Sequence, residues 1–383
     1  MRTKIDYAFA SGGLLSKVLG RIGMEGEKVK YKFLWILVLV LLCWIPLLAL
    51  TFYEFNFNTF YRLFVRDVAT HVRFLLALPL LLMARQAVNR SFNSMVETVY
   101  ETKIVDDDNA KDFEKILNWV LKWKKAAIID IILVLTVYLT LYIRENETET
   151  AAIAYAPWLK KGDGPSFAGW WYIVFSLPVL QLIFYRWLYT ISLWIIFLFK
   201  MSRIKLNLSS LHADSAGGLG FLRYTQLSFF PVAFAFSTIA AGGLNNMLIF
   251  ADASINEFKL LIISVLIFTL LIFVLPLLIF IPILAIVKKR YYLYYSHRAW
   301  LCARDYEKML NDYNEDRENK PDSSWHIDLI GSFEKTSSMN PVLIDKTILI
   351  AFASAVVIPF IPVFAQEFPL KDLFLNLLSK FLG

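Results

Sequence analysis

The chain has 383 residues, of which 58% are hydrophobic and only 19% charged. Soluble domains average roughly 45–50% apolar and about 25% charged, so a large soluble core is excluded in favour of an all-α, polytopic integral membrane protein. The net charge of +7 fits Lys- and Arg-rich cytoplasmic loops and comes with no nucleic-acid motif, while Cys43 and Cys302 make neither a disulfide framework nor a metal-site spacing.

Residues 1–32 carry seven Lys or Arg, show no cleavable signal pattern and read as a cytoplasmic lead-in. The transmembrane bundle is expected over 33–287. Its first span is 33–53, with a bend at Pro46. The second is expected as one helix over 58–88. There Arg62, Arg66, Thr70 and Arg73 share one face, Phe60, Phe64, Val68 and Val72 form a second, and Asp67 and His71 lie on an adjacent one. The polar connection 89–125 includes Asp106-Asp107-Asp108 ahead of a helix start, without the alternating ligands of a calcium loop.

The third span is 126–143, with Asp130 just inside it. The outer loop 144–169 holds Gly162-Asp163-Gly164-Pro165 and an Asn146-Glu147-Thr148 glycosylation tripeptide. The fourth span, 170–199, has Arg186 near its middle and joins the Gly-rich loop 200–226. The fifth and sixth spans are 227–250 and 260–287. A cytoplasmic loop, 288–344, is expected to be helical over 291–310. The last span, 345–365, precedes a tail to residue 383 with apolar residues at helical spacing, an interfacial helix.

A seven-span arrangement with the N-terminus inside places 29 of the 39 Lys and Arg on the cytoplasmic side. Dropping the second span leaves a six-span alternative. Both keep 90–125, 200–226 and 288–345 in the cytoplasm.

Three groups of residues invite chemistry. Arg186 at a bilayer centre costs at least about 2.5–3.5 kcal/mol, so it must face protein or water. Gln181, Tyr185, Tyr189 and Ser192 lie beside it and form either helix–helix glue or a polar pathway. Asp130 is the obvious counter-ion. At 1.5 Å per residue, though, Asp130 sits about 7.5 Å from Lys125 and Arg186 about 21 Å from Lys200, which predicts a mismatch in depth. The second group is the loop with His212, Asp214, Gly217, Gly218 and Gly220. It reads as a structural turn, or as backbone amides receiving an anion or lipid headgroup. His212 and Asp214 lack a third metal ligand. The face formed by Arg62, Arg66 and Arg73 reads either as snorkelling cations or as an anion entrance, with His71 as a pH-sensitive neighbour.

Ser176-Leu177-Pro178, Gln181, Arg186-Trp187, Arg73-Phe74-Leu75-Leu76-Ala77-Leu78-Pro79 and the loop His212-x-Asp214-x-x-Gly217-Gly218-Leu219-Gly220-Phe221-Leu222 resemble a family of bacterial multi-pass membrane proteins with no established activity. Ala213 stands where that motif has Pro. The resemblance implies a bacterial inner-membrane setting. From the residues themselves the leading expectation is a transport or channel-like protein with a cationic interior. The alternatives are a membrane enzyme acting on a lipid or isoprenoid phosphate at the cytoplasmic face, and a non-catalytic subunit binding a cytoplasmic partner. No cofactor, metal or nucleic acid is implied, and a homo-oligomer is compatible with the pattern.

Overall fold

The computed structural model describes residues 9–10, 29–147, 156–162, 164–251, 255–311 and 324–367. The expected tail helix, most of the N-terminal lead-in and Thr148 of the glycosylation tripeptide lie outside these. The chain is a helical membrane bundle. Six helices are long and apolar enough to cross a bilayer, and a bent pair makes a seventh crossing when counted as one span. Their outward sides carry exposed Leu37, Leu41, Ile131, Leu135, Ile267 and Val357, the apolar surface that lipid covers.

Helix α1 is Val29–Glu54 and contains Pro46. The short α2, Phe57–Phe60, runs into a π-helical turn, Tyr61–Val65. Helix α3 spans Val68–Glu101, α4 Ala110–Lys124, α5 Ala127–Glu147, α6 Phe167–Met201 and α7 Phe221–Phe250. Helix α8 is Lys259–Phe273, and a 3₁₀ segment at Leu275–Phe280 follows it. Helices α9, Ile281–Asn311, α10, Ser324–Ser338, and α11, Lys346–Glu367, complete the order. The loop expected to lie outside forms a minimal hairpin in which β1, Lys160–Lys161, pairs with β2, Gly164–Pro165. Gly162 turns it with φ at +64°.

The single helix expected over 58–88 does not form. The chain breaks at Arg66, and Asp67 caps a new start, its carboxylate accepting from Thr70 N. The arginine face is thereby divided, with Arg62 and Arg66 before the break and Arg73 after it. Asp67 wins because a side-chain acceptor on the free amides of a helix start competes with continuing the helix. The new helix then runs past Val88 to Glu101, consuming the first part of the connection expected to be loop.

Ninety-nine residues later the same sequence of events recurs. Ser166 caps Gly169 N as Asp67 caps Thr70 N. A helical turn follows each cap, then a π-helical segment, Val72–Ala77 in α3 and Tyr172–Ser176 in α6. Each π segment leads into Leu-Pro, at Leu78-Pro79 and Leu177-Pro178. The Leu78 amide bonds to the Arg73 carbonyl and the Leu177 amide to the Tyr172 carbonyl, five residues back. Proline has no N–H and its ring crowds the carbonyl four residues before it, so the helix widens by one residue just ahead of it. The two widened turns touch: Arg73 donates to the Tyr172 hydroxyl at 3.0 Å, and the Phe74 and Tyr172 rings meet edge to face. The helices run in the same direction, because Trp158 reaches both caps while Phe92 meets Trp194 and Phe197 at the far ends.

Helix α4 lies along the second half of α6, where Lys200 sits over the Trp119 ring and Phe113 packs on Phe197. The chain then bends by 44° into α5. Lys124 and Lys125 are therefore level with Arg186, not with Lys200. From Phe167 to Arg186 is about 28 Å at 1.5 Å per residue, close to the ~30 Å of a hydrocarbon core. The apolar stretch from Trp187 to Met201 owes its character to α3 and α4, which bury Trp194, Phe197 and Leu198.

Candidate functional site

At the hairpin end of the bundle, Asp67 is fully buried. Its Oδ1 accepts from Thr70 N at 2.8 Å and Asn246 Nδ2 at 2.6 Å. Its Oδ2 accepts from Thr70 Oγ1 at 2.7 Å and Trp158 Nε1 at 2.6 Å. Four donors match the acceptor capacity of an ionised carboxylate, and all four are uncharged. Among the described residues no Lys or Arg pairs with it.

Each donor is brought by a different device. A Cβ on Gly242 would lie 2.4 Å from Val72 Cγ2 and 3.1 Å from Ala69 Cα, so only glycine lets α7 approach α3 this closely. Asn246, one turn further on the same face, then reaches Asp67 and also accepts from Ala69 N at 3.0 Å. Trp158 comes from a 3₁₀ turn at Pro157–Leu159, just ahead of the hairpin. The Ser166 hydroxyl holds its carbonyl at 2.7 Å. Glu54 fastens the hairpin, its carboxylate accepting from Phe167 N and its carbonyl from Lys161 Nζ, both at 2.8 Å. Phe64 and Tyr172 stand edge-on to the Trp158 ring.

His71 lies one turn beyond Asp67 but faces elsewhere. Trp44 Nε1 donates to its Nδ1 at 3.1 Å, and its Nε2 lies 3.1 Å from the Phe64 carbonyl and 3.2 Å from that of Val65. An indole can only donate, so this geometry selects the neutral ring with its proton on Nε2. Arg73 reaches Tyr172 and lies against Gly243. Arg62 and Arg66 are exposed at this end.

The second polar centre corrects the depth argument. Arg186 and Asp130 do pair, at 2.8 Å, with both side chains at least nine-tenths buried. Arg186 also donates to the Lys124 carbonyl at 2.7 Å. The expected mismatch took Lys125 and Lys200 as one level, whereas α4 folds alongside α6 and brings Lys124 beside Arg186. Tyr189 supports the pair, with its ring 5.5 Å from the guanidinium and its hydroxyl donating to the Trp123 carbonyl. Gln181 and Tyr185 do not join it. Gln181 is half-buried with no partner for Oε1 among the described residues, Tyr185 packs on Phe184, and Ser192 bonds within its own helix. The polar face of α6 is thus divided among separate contacts.

The Gly-rich loop binds its own anion. The Asp214 carboxylate accepts from Ala216 N at 2.8 Å, Gly218 N at 3.1 Å and Gly220 N at 2.7 Å, with His212 Nδ1 2.9 Å away. Partial burial opposes its ionisation, but the three amides and His212 outweigh that and hold the carboxyl below its ordinary value. Gly217 and Gly218 adopt φ of +69° and +101°. A Cβ on Gly220 would meet Asp214 at 2.9 Å. Around this turn the chain gathers its other strands of loop. Asn340 N donates to the Ser215 carbonyl, Asn207 N to that of Ile104, and Arg223 Nε to that of Leu343. The amides expected to receive a ligand are satisfied by Asp214, and the loop ties α9, α10 and α11 to α3.

Among the described residues, no three His, Cys, Asp or Glu side chains gather as a metal site. No family model, curated protein or solved structure matches the chain. Sequence reading missed Trp158 and Asn246, which stand 91 and 179 residues from Asp67. The available signals were Asp67-x-x-Thr70, a capping pattern inside an apolar run, and the repeated Leu-Pro.

Proposed function

We propose that this protein is a carrier for a small anionic solute in a bacterial inner membrane, with the Gly-rich loop facing the cytoplasm. The observation that carries the reading is Asp67, a buried carboxylate held only by neutral donors beside two interrupted helices. Ionisable groups inside membrane bundles are costly and concentrate on solute and proton pathways, and interrupted helices recur at carrier binding sites. Arg62, Arg66 and Lys161 are exposed at the same end and supply the positive field that draws anions. The resemblance to a bacterial membrane family supports the setting. The enzyme alternative needs a vacant cradle in the Gly-rich loop, which Asp214 fills.

Proteoliposomes under an imposed pH gradient test the reading against a panel of labelled carboxylates and phosphate. Gradient-driven uptake of one anion class is expected, abolished by Asp67→Asn and strongly reduced by Arg73→Gln. No uptake of any anion, or unchanged uptake by Asp67→Asn, would refute it.

A further inference from the structure

The apolar run that begins in α8 stops at Lys288, but its helix does not. Lys259–Lys308 continues as one rod, about 75 Å long at 1.5 Å per residue. The hydrocarbon core takes about 30 Å of that length and the headgroup layer about 5–7 Å on each side. Helix α9 therefore runs on past the membrane at the Gly-rich-loop end, where Lys288 Nζ donates to the Met339 carbonyl. Helix α10 packs back along it, with Phe333 on Tyr292 and with Asp328 sharing a groove with Cys302 and Asp305.

Another side of α9 is left open. Ile286, Leu293 and Trp300 stand seven residues apart and are each more than half exposed. Arg290, His297 and Arg304, also exposed, follow each of them by four residues. At about 100° per residue all six fall within about 40° of one line, a stripe about 27 Å long. Among the described residues none of the three basic side chains enters an ion pair. Trp300 is held in place, with the His297 ring stacked on it and the Arg304 guanidinium 5.2 Å from its centre. A side chain fixed in advance loses little freedom when a partner covers it.

We propose that the part of this stripe beyond the membrane, from Arg290 to Arg304, is a docking surface for an acidic amphipathic helix of a partner protein. Apolar side chains of that helix cover Leu293 and Trp300, and its carboxylates meet Arg290, His297 and Arg304. The seven-residue spacing of both sets is the seam that a second helix fits, and the charge fixes the sign of the partner. A lipid surface reaches Arg290, but Arg304 lies about 21 Å further along the rod, at least about three times the depth of the headgroup layer. A second copy in the same membrane stands parallel, so facing stripes would set Arg290 against Arg290 and Arg304 against Arg304. The chain's own acidic connection, residues 312–323, begins and ends at the tip where α9 and α10 meet. A link of that length goes out and back by no more than about 23 Å, short of Arg290 at about 31 Å from Asn311. The docking surface stands independently of the carrier reading.

The test uses the full chain in nanodiscs of zwitterionic lipid. The probe is a synthetic fluorescein-labelled helix of about four heptads that repeats Leu and Glu at the spacing of the stripe, and binding is read by fluorescence anisotropy. Saturable binding is expected, at least about tenfold weaker for the same peptide with Gln in place of Glu. Trp300→Ala should weaken it at least about tenfold, the size of a hot-spot loss. Arg304→Glu should weaken the Glu peptide and leave the Gln peptide unaffected. Equal binding of the two peptides, no binding of either, or binding indifferent to Trp300→Ala would overturn the proposal. Trp300→Cys in vesicles detects the other occupants. Oxidative crosslinking between copies identifies a second copy, and protection from an impermeant thiol reagent in anionic but not zwitterionic vesicles identifies a lipid surface. Either result would overturn it as well.

Discussion

Removing the Asp130 carboxylate tests the buried pair that joins α5 to α6. Asp130→Ala leaves the Arg186 guanidinium with the Lys124 carbonyl but without its counter-charge. At a charge separation of about 4 Å and an effective dielectric near 20, the lost attraction is about 4 kcal/mol. That agrees with the roughly 3–5 kcal/mol typical of breaking a buried pair from one side. The polar contacts that an unfolded membrane chain also finds bring the expectation to the lower half of that range. Unfolding by SDS in mixed micelles, followed by circular dichroism, measures it through a double-mutant cycle. Asp130→Ala and Arg186→Met should each be strongly destabilising, and the double variant should recover at least half of the Asp130→Ala loss. Lys200→Ala, which removes a cation over the Trp119 ring, should cost no more than about 1 kcal/mol. Simple addition of the two single losses in the double variant would refute the pairing.

Trp158→Phe keeps the ring but removes one of four donors from Asp67, with an expected cost of about 1–3 kcal/mol in the same unfolding assay. Trp158→Ala also empties the aromatic site and should cost about 3–5 kcal/mol. Gly242→Ala places a methyl 2.4 Å from Val72 Cγ2 and should destabilise by about 1–3 kcal/mol through overpacking. Because it separates Asn246 from Asp67, Asn246→Ala should add little on top of it. For Asp214 the folded carboxyl is held below its ordinary value. Its stabilisation is therefore complete above the ordinary carboxylate range and lost as pH falls through the lowered folded value. Unfolding midpoints measured as the pH is lowered from neutrality should drop through that window in the native chain and lose that component in Asp214→Asn.

Among the described residues, each helix long and apolar enough to cross a membrane falls on an expected span, because lipid demands long apolar runs whatever the tertiary structure. Hydropathy misjudged depth for a physical reason. Trp187 to Met201 is apolar because α3 and α4 cover it, and burial by protein leaves the same composition as burial by lipid. The break at Arg66–Asp67 went unread because the helical pattern of Arg62, Arg66 and Arg73 continues through it in sequence. Only the Asp67-x-x-Thr70 cap argued for a stop. The Gly-rich loop was legible as a turn, since Gly217 and Gly218 do take positive φ. That Asp214 would satisfy its amides follows from a carboxylate lying within six residues of three of them. Asn246 and Trp158 could not be assigned to Asp67, because nothing local couples positions so far apart.

The recurrence of cap, widened turn and Leu-Pro in α3 and α6 has a further meaning. The two copies run in the same direction along the bundle. Such a duplication does not exchange the two faces of the membrane, whereas an inverted repeat does and so generates its outward- and inward-facing forms by swapping the shapes of its halves. The two ends of the pair differ accordingly: an indole bound to a carboxylate at one end, and a phenyl ring stacked on an aromatic at the other.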